Sequence, residues 1–106
     1  HRQNILEGCT TNIICVKNKK LYIPKKNYYF GTTLQFIAKH TKRKIFKESL
    51  TLKNLKIFDE ILLVGAGKGV VALKNIPQIK WKKKSDMVFK ELQDLYNSYI
   101  NKEIET

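Results

Sequence analysis

Glu60-Ile61-Leu62-Leu63-Val64-Gly65-Ala66-Gly67-Lys68-Gly69-Val70-Val71-Ala72-Leu73 is the stretch on which the fold turns. Ile61 to Val64 is an unbroken apolar run, short and framed by polar residues and glycine, which reads as a strand buried on both faces. Gly65 to Gly69 interrupts it, and Val70 to Leu73 resumes as a strand. Three glycines in five residues let the backbone approach a ligand closely, and consecutive N–H groups there can form an anion-binding nest. Two familiar phosphate loops are excluded. A P-loop ends in Gly-Lys-Ser/Thr before a helix, whereas Val70 and Val71 follow here, and the glycine spacing of a dinucleotide fingerprint is absent. A tight turn between two strands stands as the alternative.

Upstream, Leu52, Leu55 and Phe58 recur at helical spacing within Leu50 to Phe58, a helix of about two turns. Lys44 to Ser49 alternates and predicts a half-buried strand. Gly31-Thr32-Thr33 opens a segment with Leu34, Ile37, Ala38 and Thr41 on one face, a helix with threonine available at its N-terminus. Asn12 to Val16 and Leu21 to Ile23 are apolar runs around polar Asn18-Lys19-Lys20, a β-hairpin with a tight turn, followed by a loop from Pro24 to Tyr29. Downstream, Val88, Leu92, Leu95, Tyr96 and Tyr99 mark an amphipathic helix, with Ser85 as its N-cap and Asp86 in its first turn. The predicted order is β, β, α, β, α, β, β, α. That is a mixed α/β (α+β) domain.

The chain has 106 residues, 42% of them hydrophobic, enough for one domain spanning residues 1–106 and for one core. No apolar run approaches the ~20 residues of a membrane span and no signal peptide is visible, so a soluble, cytoplasmic protein is expected. Cys9 and Cys15 match no metal or disulfide spacing and read as reduced thiols. Twenty-one Lys+Arg against nine Asp+Glu give a net charge of +12, which invites a nucleic-acid reading. Only Arg2 and Arg43 are arginines, however, and the lysines are scattered apart from short clusters. Specific readers of nucleic acid lean on arginine.

Gly31-Thr32-Thr33 at a helix start offers backbone N–H groups and two hydroxyls, a combination that suits a phosphate; an ordinary glycine turn is the plainer reading. No Ser-His-Asp, Cys-His or metal-ligand constellation is visible, and His1 and His40 read as surface residues.

The order of these blocks carries more than any one of them. Glu7-Gly8 with Asn12 four residues later, a hairpin ending in Pro24, Gly31-x-Thr33 opening a helix, then Asp59-Glu60 and a strand ending in a glycine-containing loop, resembles the C-terminal domain of the class IV aminotransferases. These are the pyridoxal-phosphate enzymes of fold type IV: branched-chain and D-amino acid aminotransferases and aminodeoxychorismate lyases. The resemblance runs from about Leu6 to about Ile100.

The resemblance implies pyridoxal 5′-phosphate as cofactor, with Glu7 facing the pyridine nitrogen. A carboxylate there holds that nitrogen protonated, so that the ring accepts electrons when a substrate Cα–H bond breaks. Asn12 would tie the loop to the following strand. Thr32 would offer its N–H to the phosphate, and Thr33 its N–H and hydroxyl. Gly65 and Ala66 would add phosphate contacts, and Ala66 and Gly67 would meet the substrate carboxylate. Ala66 stands where the family usually has Thr or Ser, so only its N–H remains, and Leu34 stands where the family often has Arg.

The Schiff-base lysine of the family lies a few tens of residues before the Glu-Gly block, and no lysine here occupies that place. The expectation is a C-terminal portion that turns over no substrate alone, belonging to an enzyme that transaminates amino acids or eliminates pyruvate from aminodeoxychorismate. The Gly67-Lys68-Gly69 run and short C-terminal end tilt this toward the lyase. A homodimer is implied for the intact protein. Two other readings stay open: a basic module binding nucleic acid through lysines and the aromatics Tyr22, Tyr28, Tyr29 and Trp81, and a non-catalytic relative of the family.

Overall fold

The computed structural model describes residues 12–25, 31–65 and 69–105, the last five by backbone alone. The apolar runs on either side of Asn18-Lys19 form β1 (Asn12–Lys17) and β2 (Lys20–Pro24), an antiparallel hairpin with Lys17 opposite Lys20. Asn18 and Lys19 both take positive φ, 52° and 64°. That pair defines the mirror-image turn whose twist matches a hairpin. The Asn18 N–H donates to Asp59 Oδ2 at 3.2 Å, pinning the turn from across the sheet.

α1 (Thr32–His40) follows, then β3 (Ile45–Glu48), which pairs parallel to β2. β4 (Glu60–Gly65) lies antiparallel to β1, and β5 (Gly69–Ala72) folds back on β4 with Gly65 opposite Gly69. The sheet order is β3-β2-β1-β4-β5. Two short strands, β6 (Asn75–Ile76) and β7 (Trp81–Lys82), form a separate ribbon before α2 (Met87–Glu105). This is the mixed α+β architecture expected.

The period-two geometry of strands sorts the core into two layers. Ile14, Val16, Leu21, Ile23, Leu62, Val64 and Val70 face α1 and α2, meeting Leu34, Ile37, Val88, Leu92 and Tyr96. Ile13, Cys15 and Ile61 face the other way, against Leu55, Phe58 and Trp81. Because both faces are covered, β1 and β4 read as continuous apolar runs rather than alternating ones.

Several expectations need correction. The two-turn helix over Leu50 to Phe58 is one 3₁₀ turn, Asn54–Ile57. Leu52, Leu55 and Phe58 are spaced by three residues, which is the 3₁₀ period, and that spacing alone packs them on the second layer. β3 is an edge strand with Phe46, Lys47 and Glu48 exposed, less buried than its alternation suggested. α1 begins with Gly31 as N-cap and no side-chain cap, in place of a threonine. At α2, the Ser85 hydroxyl accepts the Met87 N–H at 3.1 Å, whereas the Asp86 carboxylate turns to Lys83 at 2.9 Å. The amides of Val88 and Phe89 are taken by the buried carboxylate of Glu60, at 3.0 and 2.8 Å, reaching from β4.

Trp81 is buried, its Nε1–H donating to the Phe58 carbonyl at 2.7 Å, so it offers no stacking platform to a nucleic acid. Tyr22 is half-buried between Phe46 and Phe58, and Tyr28 and Tyr29 lie outside the described residues. His40 is exposed, its ring 4.5 Å from that of Phe36; His1 and Cys9 lie outside the described residues. Cys15 is a free thiol, and its burial pushes its pKa up. No helix among the described residues is long and apolar enough to cross a membrane.

Candidate functional site

A sheet covered on both faces leaves its ends to ligand chemistry, and one end stands out by its unclaimed donors. Gly31 caps α1 in an extended conformation (φ −66°, ψ 165°), and the first helical bond runs from the Gln35 N–H to the Gly31 carbonyl at 2.9 Å. The N–H groups of Thr32, Thr33 and Leu34 therefore have no acceptor within the helix. No side chain caps them, and no acidic residue sits in the first turn to offset the partial positive charge there.

Thr33 adds a second observation. Its side chain is buried, with 4% of its surface exposed, yet its hydroxyl has no hydrogen-bond partner among the described residues. Buried hydroxyls without partners are uncommon, because desolvation goes unreturned. Thr32 is exposed beside it, and Leu34 is buried in the helix-side layer. Three amides and one hydroxyl thus await an acceptor, and an anion is the chemistry that meets them.

The position of this terminus in the fold comes from Asn12. Its side chain is polar in a buried place, with 2% exposure, and its Oδ1 accepts the Gly31 N–H at 3.0 Å. Its backbone pairs with Val64 on β4, one residue before Gly65. The start of β1, the start of α1 and the end of β4 are thereby drawn to one end of the sheet, and α1 packs directly on β4. Thr32, Thr33 and Gly65, far apart in sequence, share that end. Behind it, Gly69 (φ +69°) opens β5 under the ring of Tyr96.

Of the residues the sequence singled out, Thr32, Thr33 and Gly65 are brought together. Glu7, Ala66 and Gly67 lie outside the described residues. The resemblance gave Asn12 the task of tying the preceding loop to its strand; that loop lies outside the described residues, and the Asn12 carboxamide oxygen holds the helix start. A buried asparagine heading an apolar strand was the available signal, since such a group must find a partner.

Among the described residues, two open grooves lie elsewhere. One of about 570 Å³, lined by His40, Arg43, Glu91 and Asp94, sits at the far end of α1. Its strongest charges satisfy each other: Arg43 Nη2 meets Glu91 at 2.7 Å and its Nε donates to the same carboxylate at 2.8 Å, while Nη1 donates to the Lys19 carbonyl. The other, about 260 Å³, runs between Tyr22, Glu48 and Phe58. Each has on its lining a single lysine without a partner among the described residues, Lys42 in the first and Lys17 in the second, whereas the start of α1 gathers three amides and a buried hydroxyl.

Residues 1–76 match the family model for amino-transferase class IV. No curated protein matches the chain in a direct search. Among solved structures, the branched-chain amino acid aminotransferase of Escherichia coli superposes with a TM-score of 0.68 at 21% identity, over 78% of this chain and 30% of that one. An aminotransferase from Brucella abortus bound to the cofactor PLP gives 0.66 at 21% identity, covering 85% and 33%. A candidate 4-amino-4-deoxychorismate lyase from Legionella pneumophila gives 0.67 at 21% identity, covering 83% and 34%. At these identities the likeness is one of fold. The chain spans about a third of the length of the structures it matches.

Proposed function

The chain belongs to the class IV aminotransferases, and on that premise we propose that it is the cofactor-binding C-terminal part of a pyridoxal-phosphate enzyme acting on amino acids or aminodeoxychorismate. One observation carries the reading: the start of α1 presents three amides without helical acceptors and a buried Thr33 hydroxyl without a partner. A phosphate ester supplies acceptor oxygens and negative charge for all four. The residues present fit that group.

When bound, pyridoxal phosphate supplies an electron-accepting ring that stabilises the charge left at a substrate Cα once its proton is removed. The rest falls to the protein. Thr32 and Thr33 would anchor the phosphate by their N–H groups, and the Thr33 hydroxyl would donate a further bond. By resemblance, the amides of Gly65 and Ala66 would add contacts to the phosphate. By resemblance, Glu7 would hold a proton at the ring nitrogen, and the amides of Ala66 and Gly67 would orient the substrate carboxylate. Residues 1–106 act as one domain. The base that moves the Cα proton, the Schiff-base lysine, is assigned to a part of the protein outside this chain, and turnover with it; the intact enzyme is a homodimer. Similar folds include both transaminases and a candidate lyase. The run Gly67-Lys68-Gly69 inclines the assignment to the lyase branch.

The test is an NMR titration of the ¹⁵N-labelled chain with pyridoxamine 5′-phosphate, whose amine, unlike an aldehyde, does not condense with the many lysines. Saturable shifts confined to the amides of Thr32, Thr33, Leu34 and Gly65, absent with unphosphorylated pyridoxamine, are expected. Shifts spread over the lysine-rich surface and abolished by moderate salt would overturn the assignment.

A further inference from the structure

We infer that Asn12 is a positioning residue of this anion site, acting through Gly31; the inference rests on the phosphate reading above. Every N-terminus of a helix has four N–H groups that no helical carbonyl can reach. At α1 the first of them, on Gly31, is withdrawn from ligand duty by the Asn12 carboxamide at 3.0 Å, in a buried setting. The three that remain, on Thr32, Thr33 and Leu34, are those that an anion can claim.

The geometry explains why a side chain on β1 holds this role. Asn12 is fixed by its own backbone, paired with Val64 in the antiparallel β1–β4 ladder. Its oxygen therefore measures the position of the α1 start from the same ladder that carries Gly65 one residue further on. Apolar packing of Leu34 and Ile37 on the sheet sets the helix height, yet such packing tolerates sliding and rotation. A buried hydrogen bond has a sharp directional requirement and sets where the amides point. Asn12 thus fixes the start of α1 relative to the end of β4 without touching the ligand.

Four variants and pyridoxamine 5′-phosphate as probe test this. In the unaltered chain the Gly31 amide proton is protected from exchange, and Asn12→Ala exposes it. Asn12→Ala weakens the probe about tenfold, comparable to losing one charge-assisted bond, and so does Thr33→Val. Because both act on one arrangement of donors, the double variant loses roughly ten- to thirtyfold and not the hundredfold of independent effects. An additive hundredfold, or an Asn12→Ala chain that binds as the parent does, overturns the inference and leaves the phosphate reading standing. Should Asn12→Ala fail to fold, Asn12→Asp keeps an acceptor oxygen at the same place. It is expected to keep Gly31 protected and the same set of shifted amides, with affinity lowered by its charge. Loss of that set while Gly31 stays protected also overturns it. If the unaltered chain gives no localised shifts, the phosphate reading itself fails and takes this inference with it.

Discussion

Replacing Thr33 with valine is expected to stabilise the ligand-free protein while weakening its hold on phosphate. Thr33 is 4% exposed and its hydroxyl has no partner among the described residues, so in the free protein that group has lost water and gained nothing. An orphaned buried hydroxyl costs about 1–3 kcal/mol. Valine keeps the branched shape and removes the polar atom. Allowing for its slightly different fit in the first helical turn, the gain is about 1 kcal/mol, a rise of roughly 4 °C in Tm for a domain of this size. Ligand reverses the order. At a probe concentration of about 100 Kd the unaltered protein gains about 2.7 kcal/mol, whereas a variant binding tenfold more weakly gains only about 1.4 kcal/mol. The difference, about 1.3 kcal/mol, slightly exceeds the valine advantage of about 1 kcal/mol. Thermal unfolding of both proteins with and without pyridoxamine 5′-phosphate measures all four states. A Thr33→Val chain less stable than its parent in the absence of ligand refutes the reasoning, because the hydroxyl must then have a protein partner.

Glu60 is 3% exposed and serves the α2 amides of Val88 and Phe89 from β4. Glu60→Ala strands both amides and removes a favourable charge from a helix start, a loss of about 3 kcal/mol by urea unfolding; Glu60→Gln, which keeps one acceptor, loses about half as much. Gly69→Ala combines φ +69° with a Cβ 3.3 Å from Tyr96 Cε2, and costs about 1–2 kcal/mol. Shortening Tyr96 to leucine in the same chain recovers only the contact part of that loss, not the backbone part. Cys15 is wholly buried and its pKa is raised by that burial. Peptide mapping after alkylation is expected to find it unmodified in the folded chain and modified in urea. The sign for stability follows: only the unfolded chain releases this thiol proton, so stability declines as pH climbs past roughly 8.5.

The parts of the fold that could be read from sequence are those where one residue's neighbours in the chain determine its place. The β1–β2 hairpin, the continuous burial of β4 and the apolar stripe of α2 were all legible because period and turn chemistry act locally. The 3₁₀ turn at Asn54–Ile57 was misjudged since spacings of three and of three-to-four coincide over so short a run. The β6–β7 ribbon was not seen, as two-residue strands have no period. Capping was the main surprise. Both helix starts are served from strands distant in sequence, Asn12 for α1 and Glu60 for α2. Neither bond leaves a signature near its helix, only a polar residue in an apolar strand.

That shared device also bears on what kind of ligand the protein takes. At α2, Glu60 brings a full negative charge to the amides and completes them, leaving nothing for a guest. At α1, Asn12 brings a neutral oxygen to one amide and leaves three, with no acidic residue in the turn. Two helix starts in one small domain, one sealed by a carboxylate and one left electropositive, differ in the way a structural end differs from a binding end. The net charge of +12 draws any anion toward the surface and so favours no particular partner. Selectivity has to come from a place where donors are fixed and dry. Lysines on flexible stems supply charge without fixed geometry, whereas the amides beyond Gly31 supply geometry with little charge. A compact phosphate monoester gains from both, and an extended polyanion gains chiefly from the first. On the reading proposed above, the end of the sheet would favour a small phosphorylated ligand over nucleic acid.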